Sequence, residues 1–155
     1  MPTLEQRGVA EQKVIYDTSI YIEVLRSKVF ADAFRSRYEA DIPVTFFSSV
    51  VIQELLAGAT DSLRRAAVEG FYRPFERNHR IVTPTHSVWR EAGSLLGLIR
   101  GQRADQKDRL TGSFVNDVLI VMSARSVGAK VVTLNADDFT LIRKYFPFVL
   151  EIVKT

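Results

Sequence analysis

The sequence contains no cysteine and only two histidines, and both shortages exclude kinds of site. Without thiols there is no disulfide framework and no thiolate metal centre, which fits a reducing cytoplasm. His79 and His86 have no ligand spacing and no matching partner, so we interpret both as structural or surface residues. The pattern also argues against the Ser-His-Asp and Cys-His arrangements of covalent hydrolysis.

Long apolar runs and glycine-rich loops are missing as well. No run approaches the roughly 18 residues that a membrane helix needs. The N-terminus lacks the basic and then apolar pattern of a secretory signal. Gly93, Gly97 and Gly101 fall within or at the end of a predicted helix, so they do not form a phosphate-binding loop. We therefore expect a cytoplasmic protein without a membrane partner.

The composition that remains is that of an ordinary globular domain. The 155 residues are 46% hydrophobic and 25% charged, with a net charge of +3, and a chain of this length can bury a sizeable core. The mild positive charge is compatible with nucleic acid but does not by itself indicate it. We expect a loose N-terminal arm at residues 1–12 and a single domain at residues 13–155.

Short apolar runs alternate with helical patterns along the chain. The runs predict strands at residues 14–16, 44–47, 81–83, 131–134 and 148–153. Helices are predicted after Asp17 and after Ser48, and at residues 28–40, 61–77, 85–101, 114–127 and 138–145, with a polar loop at 101–112. Such alternation favours an α/β fold with a mostly parallel central sheet that helices cover on both faces.

Four acidic residues lie inside or at the end of apolar runs, where an ionised carboxylate is costly. Asp17 ends the first strand, and Asp138 follows the strand at 131–134. Glu54 and Asp117 lie in the early turns of helices, on the apolar face. Because sites in open α/β sheets form beyond the carboxyl ends of the strands, we expect all four acids at one edge of the sheet.

Four converging carboxylates indicate a divalent metal ion. Oxygen ligands without cysteine or histidine suit a hard cation, Mg²⁺ or Mn²⁺. Such an ion can activate a water molecule against a phosphodiester, which is the natural substrate of this chemistry. A single inward acid is more often a capped or ion-paired structural residue. The joint occurrence of four such residues favours a site.

The four segments that carry these acids resemble the PIN domain family and, within it, the VapC-type toxins of type II toxin–antitoxin pairs. They are residues 14–19, 48–55, 116–120 and 132–139, in this order along the chain. The resemblance implies a three-layer α/β/α fold and a metal-dependent endoribonuclease acting on RNA. It also implies a cognate antitoxin as partner, and a homodimer.

The resemblance assigns a role to each acid. Asp17 and Asp117 would be the most direct ligands of Mg²⁺ or Mn²⁺. Glu54 and Asp138 would hold metal-bound water or a second ion, and all four would be catalytic.

Four further polar residues have more open assignments under the same resemblance. Thr18 and Thr133 would hydrogen-bond the ligands. Asn135 stands where many PIN domains have an aspartate, which weakens the negative charge of the site. Asp137 adjoins Asp138, so either acid could face the metal, and we favour Asp138.

Two other functions stay open on the sequence alone. Asp17 could be the nucleophile of a phosphotransfer domain, but such enzymes usually carry a second aspartate where this chain has Ser19. The chain could also be an inactive PIN-like binding module.

Basic and aromatic residues outside these segments have weaker assignments. Five arginines could contact RNA phosphates, although such residues more often form the solvated face of a helix; they are Arg64, Arg65, Arg73, Arg77 and Arg80. Trp89 and the phenylalanines at positions 30, 34, 46, 47, 71 and 75 are predicted in the core or at a dimer interface, and Trp89 is predicted inward on its helix.

Overall fold

The computed structural model of the chain describes residues 12–102 and 110–155. The strands in this part are Lys13–Tyr16 (β1), Thr45–Ser48 (β2), Ile81–Val82 (β3), Ala129–Thr133 (β4) and Leu150–Ile152 (β5). The α-helices are Thr18–Arg26 (α1), Lys28–Asp41 (α2), Ser49–Gly58 (α3), Ser62–Arg77 (α4), His86–Gln102 (α5), Gly112–Ser126 (α6) and Ala136–Tyr145 (α7). The predicted arm at 1–12 lies, apart from Gln12, outside the described residues.

The strands form one parallel sheet in the order β3-β2-β1-β4-β5. The chain first builds outward from β1 through β2 to β3, and then crosses back to add β4 and β5 on the other side of β1. The direction of growth therefore reverses between β1 and β4, where Tyr16 stands beside Val132. Such a reversal opens a crevice at the carboxyl ends of the two strands, which is where α/β sheets place their sites.

Both faces of the sheet are buried. The consecutive residues Val14, Ile15 and Tyr16 of β1 are at most 3% exposed, and Val131 and Val132 of β4 are fully buried. Because successive strand residues point to opposite faces, burial of neighbours requires cover on both sides. The predicted three-layer α/β/α fold is thereby confirmed.

Polar caps fix the starts of the helices that follow the strands. Asp17 caps α1 by accepting from Ser19 N, Ser48 caps α3, and Asn135 caps α7. Each side chain satisfies a backbone N–H that the first helical turn leaves free. The caps hold the first turns of these helices at the carboxyl edge of the sheet.

Some predicted boundaries differ from the structure for local reasons. Residue 44 belongs to a 3₁₀ turn, Ile42–Val44, so β2 begins one residue later than predicted. Helix α7 begins at Ala136 and not at 138, because the Asn135 side chain accepts from Asp138 N and caps an earlier turn. The predicted loop at 101–112 is partly wrong, since α5 continues to Gln102 and α6 begins at Gly112; residues 103–109 lie outside the described part.

The inward prediction for Trp89 is wrong, because its side chain is 56% exposed near the start of α5. The helix turns Val88 and Ala92 toward the core instead. The predicted phenylalanines do pack as core residues: Phe34, Phe47 and Phe75 are buried, and the others lie partly buried against them. A place for Trp89 at a dimer interface stays a prediction.

Candidate active site

Asp17 lies at the carboxyl end of the central strand β1 and is 3% exposed. Its Oδ2 accepts hydrogen bonds from Thr133 Oγ1 at 2.8 Å and from Ser19 Oγ at 2.8 Å. Burial raises the pKa of the Asp17 carboxyl, and the two hydroxyls act in the opposite direction. Hydroxyl donors on one oxygen fix the orientation of this carboxylate at the crevice between β1 and β4.

Glu54 reaches the same edge of the sheet from α3. Thr18 Oγ1 donates to Glu54 Oε1 at 2.7 Å, which joins the first turn of α1 to α3. Burial raises the pKa of Glu54, the Asp17 charge adds to this rise, and hydrogen bonds from Thr18 and Asn116 oppose it. Thr18 therefore hydrogen-bonds one of the predicted site acids.

Asp117 enters the site from α6, the most buried helix, and is 4% exposed. Its Oδ2 is buried and has no hydrogen-bond partner in the part of the chain that the structure describes. Burial first, and then the charges of Asp17, Asp138 and Glu54, raise the pKa of Asp117 to about 9. The fold thus brings all four predicted acids within electrostatic range of one another.

The fourth predicted acid, Asp138, lies just after the junction of β4 and α7. Asn135 Nδ2 donates to Asp138 Oδ2 at 3.0 Å, and Asp138 N donates to Asn135 Oδ1 at 3.3 Å. Asp138 is half-buried and its charge acts on Asp117, whereas Asp137 is exposed. Of the two adjacent acids, Asp138 therefore takes part in the cluster, and Asn135 holds it.

Two residues near the acids had no site role in the sequence prediction. The Ser19 hydroxyl contacts both Asp17 and the junction after β4. The Asn116 side chain hydrogen-bonds the Glu54 carboxylate and lowers its pKa. A hydroxyl two residues beyond a strand-ending aspartate, and an amide next to Asp117, are the signals that could have identified them.

The donor atoms of the four acids fit a hard cation such as Mg²⁺ or Mn²⁺. The donors are all oxygens, and the buried Asp117 Oδ2 lacks a partner that a cation would supply. In residues 12–102 and 110–155, no three acidic or histidine side chains converge closely enough to hold a metal ion by themselves. An ion here would complete its coordination with water or substrate oxygens, as Mg²⁺ commonly does.

An apolar groove of about 530 Å³ runs beside Glu54 between α1, α3 and α4. Its lining includes three large apolar side chains that are substantially exposed: Ile22 at 44%, Leu25 at 49% and Leu63 at 82%. Arg26 and Arg64 also line it. A patch of this kind indicates a partner surface more often than a free one.

Three arginines of α4 form ion pairs with an acid of the same helix or with its N-cap residue. Arg64 pairs with Asp61 at 3.6 Å, and Arg65 and Arg73 both pair with Glu69, at 3.3 and 3.1 Å. The guanidinium of Arg80 donates to Ile42 O at 2.8 Å. This pattern is that of a solvated helix face, and contact with RNA phosphates stays a prediction.

The family model of the PIN domain matches residues 14–145, so the chain belongs to the PIN domain family. This confirms the family predicted from the four segments. PIN domains are generally nucleases. No curated protein matches the sequence. In the described part of the chain, no helix is long and apolar enough to cross a membrane.

Solved structures with the same fold include two bacterial VapBC proteins. The DNA-bound VapBC of Salmonella typhimurium is 23% identical with a TM-score of 0.62, and the match covers 91% of this chain and 98% of that one. VapBC-1 of nontypeable Haemophilus influenzae is 21% identical with a TM-score of 0.62, again over 91% and 98%. At these identities the likeness shows the fold.

Proposed function

We propose that this protein is a Mg²⁺- or Mn²⁺-dependent endoribonuclease and the toxin of a type II toxin–antitoxin pair. The observation that carries the proposal is the buried Asp117 carboxyl, whose pKa is raised to about 9 by burial and by three other carboxylates. A group displaced so far from its ordinary pKa, in a crevice at the sheet edge, is typical of a functional site. A cation would relieve this repulsion in place of the proton.

The position of each side chain supports the role that we propose for it. Asp17 and Asp117 would hold the ion, because they are the most buried acids and face the same crevice. Glu54 and Asp138 would orient water or a second ion, with Thr18 and Asn135 holding their carboxylates. When bound, the ion would supply Lewis acidity toward the RNA phosphodiester and the attacking water.

The substitution Asp117→Asn tests this proposal. We expect Mn²⁺-dependent cleavage of RNA to fall by about 10³-fold, since several kcal/mol of charge stabilisation depend on the ion. The matched control is Asp32→Asn, the same change in an exposed ion pair of α2, which should cleave at the wild-type rate. The assay compares RNA with DNA, and Mn²⁺ with EDTA.

Other outcomes of that assay point elsewhere. If RNA cleavage continues in EDTA, or if Asp117→Asn cleaves like the wild-type protein, the metal-dependent mechanism is contradicted. A wild-type protein that neither binds Mn²⁺ in calorimetry nor cleaves RNA would instead be an inactive binding module. Trapping of a phosphorylated Asp17 would revive the phosphotransfer alternative.

The antitoxin partner is proposed to occupy the apolar groove beside Glu54. The groove exposes Ile22, Leu25 and Leu63 next to a site acid, so a bound segment would cover apolar surface and reach the carboxylates together. We expect Leu25→Asp to abolish co-purification with the product of a short neighbouring reading frame. Val29→Asp, at an 82% exposed apolar position of α2 outside the groove, should retain it; equal retention by both variants would contradict this placement.

A homodimer and a cytoplasmic location complete the proposal. Trp89, at 56% exposure on α5, would suit an interface with a second copy. Sedimentation of the wild-type protein checks the oligomeric state.

A further inference from the structure

The Ser19 hydroxyl connects two strand ends at the site. Ser19 Oγ donates to Asp17 Oδ2 at 2.8 Å, just after β1. The same oxygen accepts from Leu134 N at 3.0 Å, just after β4. A serine hydroxyl has one proton to donate. Because the Leu134 N–H can only donate, Ser19 must accept from it, and the Ser19 proton is left for Asp17 Oδ2 at 2.8 Å, the shorter of its two contacts, or for Thr133 Oγ1 at 3.2 Å.

Thr133, the last residue of the neighbouring strand β4, also donates to Asp17 and accepts from a backbone N–H. Thr133 Oγ1 donates to Asp17 Oδ2 at 2.8 Å and accepts from Asn135 N at 2.9 Å. The two hydroxyls lie 3.2 Å apart and converge on one carboxylate oxygen. Two backbone N–H groups after β4 thus orient both hydroxyls toward Asp17. The junction that is held in this way continues directly into Asn135 and Asp138.

We propose that Ser19 is a positioning residue: it orients the Asp17 carboxylate and sets its spacing from the junction that carries Asp138. The inference rests on the proposed function, because the orientation matters for the ion that these acids would hold. Groups that orient metal ligands typically contribute 10- to 100-fold to metal affinity or activity. Ser19 does not contact the reacting atoms in this proposal and acts through Asp17.

Three variants separate positioning from a general packing effect. Ser19→Ala removes the hydroxyl, and Ser19→Thr keeps it. Ser123→Ala is the matched control, because it removes a buried serine hydroxyl that has no hydrogen-bond partner in the described residues, on the helix that carries Asp117. Mn²⁺ affinity is measured by calorimetry without RNA, and kcat, KM and Tm are measured in parallel.

We expect Ser19→Ala to weaken Mn²⁺ binding and lower kcat by about 10- to 100-fold, with KM within about twofold of wild type. Ser19→Thr should restore both quantities, and Ser123→Ala should match the wild-type protein. Amide hydrogen exchange at Leu134, measured without metal, should accelerate in Ser19→Ala alone, because that N–H loses its acceptor.

Each contrary result has a distinct meaning. If Ser19→Ala binds Mn²⁺ and turns over like Ser123→Ala, or if Leu134 exchange does not change, the positioning role is wrong while the nuclease proposal stands. A fall in Tm with loss of activity that Ser19→Thr does not rescue would show a purely structural role. If the wild-type protein neither binds Mn²⁺ nor cleaves RNA, the proposed function fails, and the positioning role fails with it.

Discussion

Glu151 and Asp117 are carboxyl groups of the same domain with opposite electrostatics. On β5, Glu151 accepts from Arg37 Nη2 at 2.9 Å, contacts Arg37 Nη1, and accepts from Lys130 Nζ at 2.8 Å. These partners, the Arg37 hydrogen bond first, lower the pKa of Glu151 to about 2. Burial and neighbouring acids instead raise the pKa of Asp117 to about 9.

We interpret Glu151 as a carboxylate that stabilises the fold and propose that Asp117 belongs to a functional site. The Glu151 ion pairs join α2, β4 and the edge strand β5. At the carboxyl edge, the groups that act on Asp117 are other acids, and the donors to Asp17 are neutral hydroxyls. Such an arrangement costs stability in the free protein, which proteins commonly tolerate at functional sites.

The largest effect that we expect in a test of this comparison is the difference in cleavage rate between variants of the adjacent acids Asp138 and Asp137. Asp138→Asn should lower Mn²⁺-dependent RNA cleavage by about 10- to 100-fold, because Asp138 belongs to the cluster. Asp137→Asn should stay within about twofold of wild type, because Asp137 is exposed. The measurement is the cleavage rate constant of each variant under the same conditions. Equal losses in both variants would show that membership of the acid cluster does not predict a role in cleavage.

A smaller effect tests the structural side of the comparison. Glu151→Gln should reduce the free energy of unfolding by about 1–3 kcal/mol. The effect is limited because the side chain is 34% exposed and water screens its ion pairs. Each kcal/mol lowers Tm by roughly 2–4 °C in a domain of this size. Cleavage per folded molecule should not change. Asp32→Asn, in an exposed pair, should lower Tm by less than half as much, and a loss of turnover in Glu151→Gln would contradict the division of roles.

A third test is the pH dependence of stability in EDTA. Between pH 4 and about 9 the folded state holds a proton on Asp117 that the unfolded state has lost. Stability should therefore fall as pH rises through this window, by at most about 1.4 kcal/mol per pH unit for one proton. Asp117→Asn should flatten the fall of Tm between pH 5 and 9.

Glu151 predicts the opposite sign at acid pH. Its folded pKa of about 2 lies below the ordinary 4.5, so its contribution is complete above the ordinary value and is lost as pH falls through the folded one. A Tm that rises with pH from 5 to 9 in the metal-free wild type would overturn the assignment of Asp117.

The sequence was sufficient for the fold because the strands are short continuous apolar runs between amphipathic helices. The same reasoning located the acids, since a carboxylate such as Asp117 on an apolar helix face is conspicuous. It failed for Trp89, because helical spacing marks a stripe of residues and does not tell which edge of the stripe the sheet covers. The sequence already favoured Asp138 over Asp137, and the structure adds a physical reason, because the Asn135 side chain hydrogen-bonds Asp138 where the helix begins.

The role of Ser19 also lay beyond the sequence. A hydroxyl after a strand-ending aspartate is a common helix cap. Its contact with Leu134 depends on the pairing of β1 with β4, between residues more than a hundred positions apart in the chain. Such partners become visible only when the sheet order is known.

The order of the strands has a consequence for the time at which the site exists. Asp17 and Glu54 emerge early in synthesis, but Asp117 and Asp138 belong to the last third of the chain, and β4 must pair with β1 before they can meet Asp17. A chain that ends before α6 therefore holds only half of the acids, and one that ends between α6 and β4 still lacks Asp138. The carboxylate cluster is among the last features to form during synthesis, so a ribosome-bound fragment that ends before β4 has no complete site.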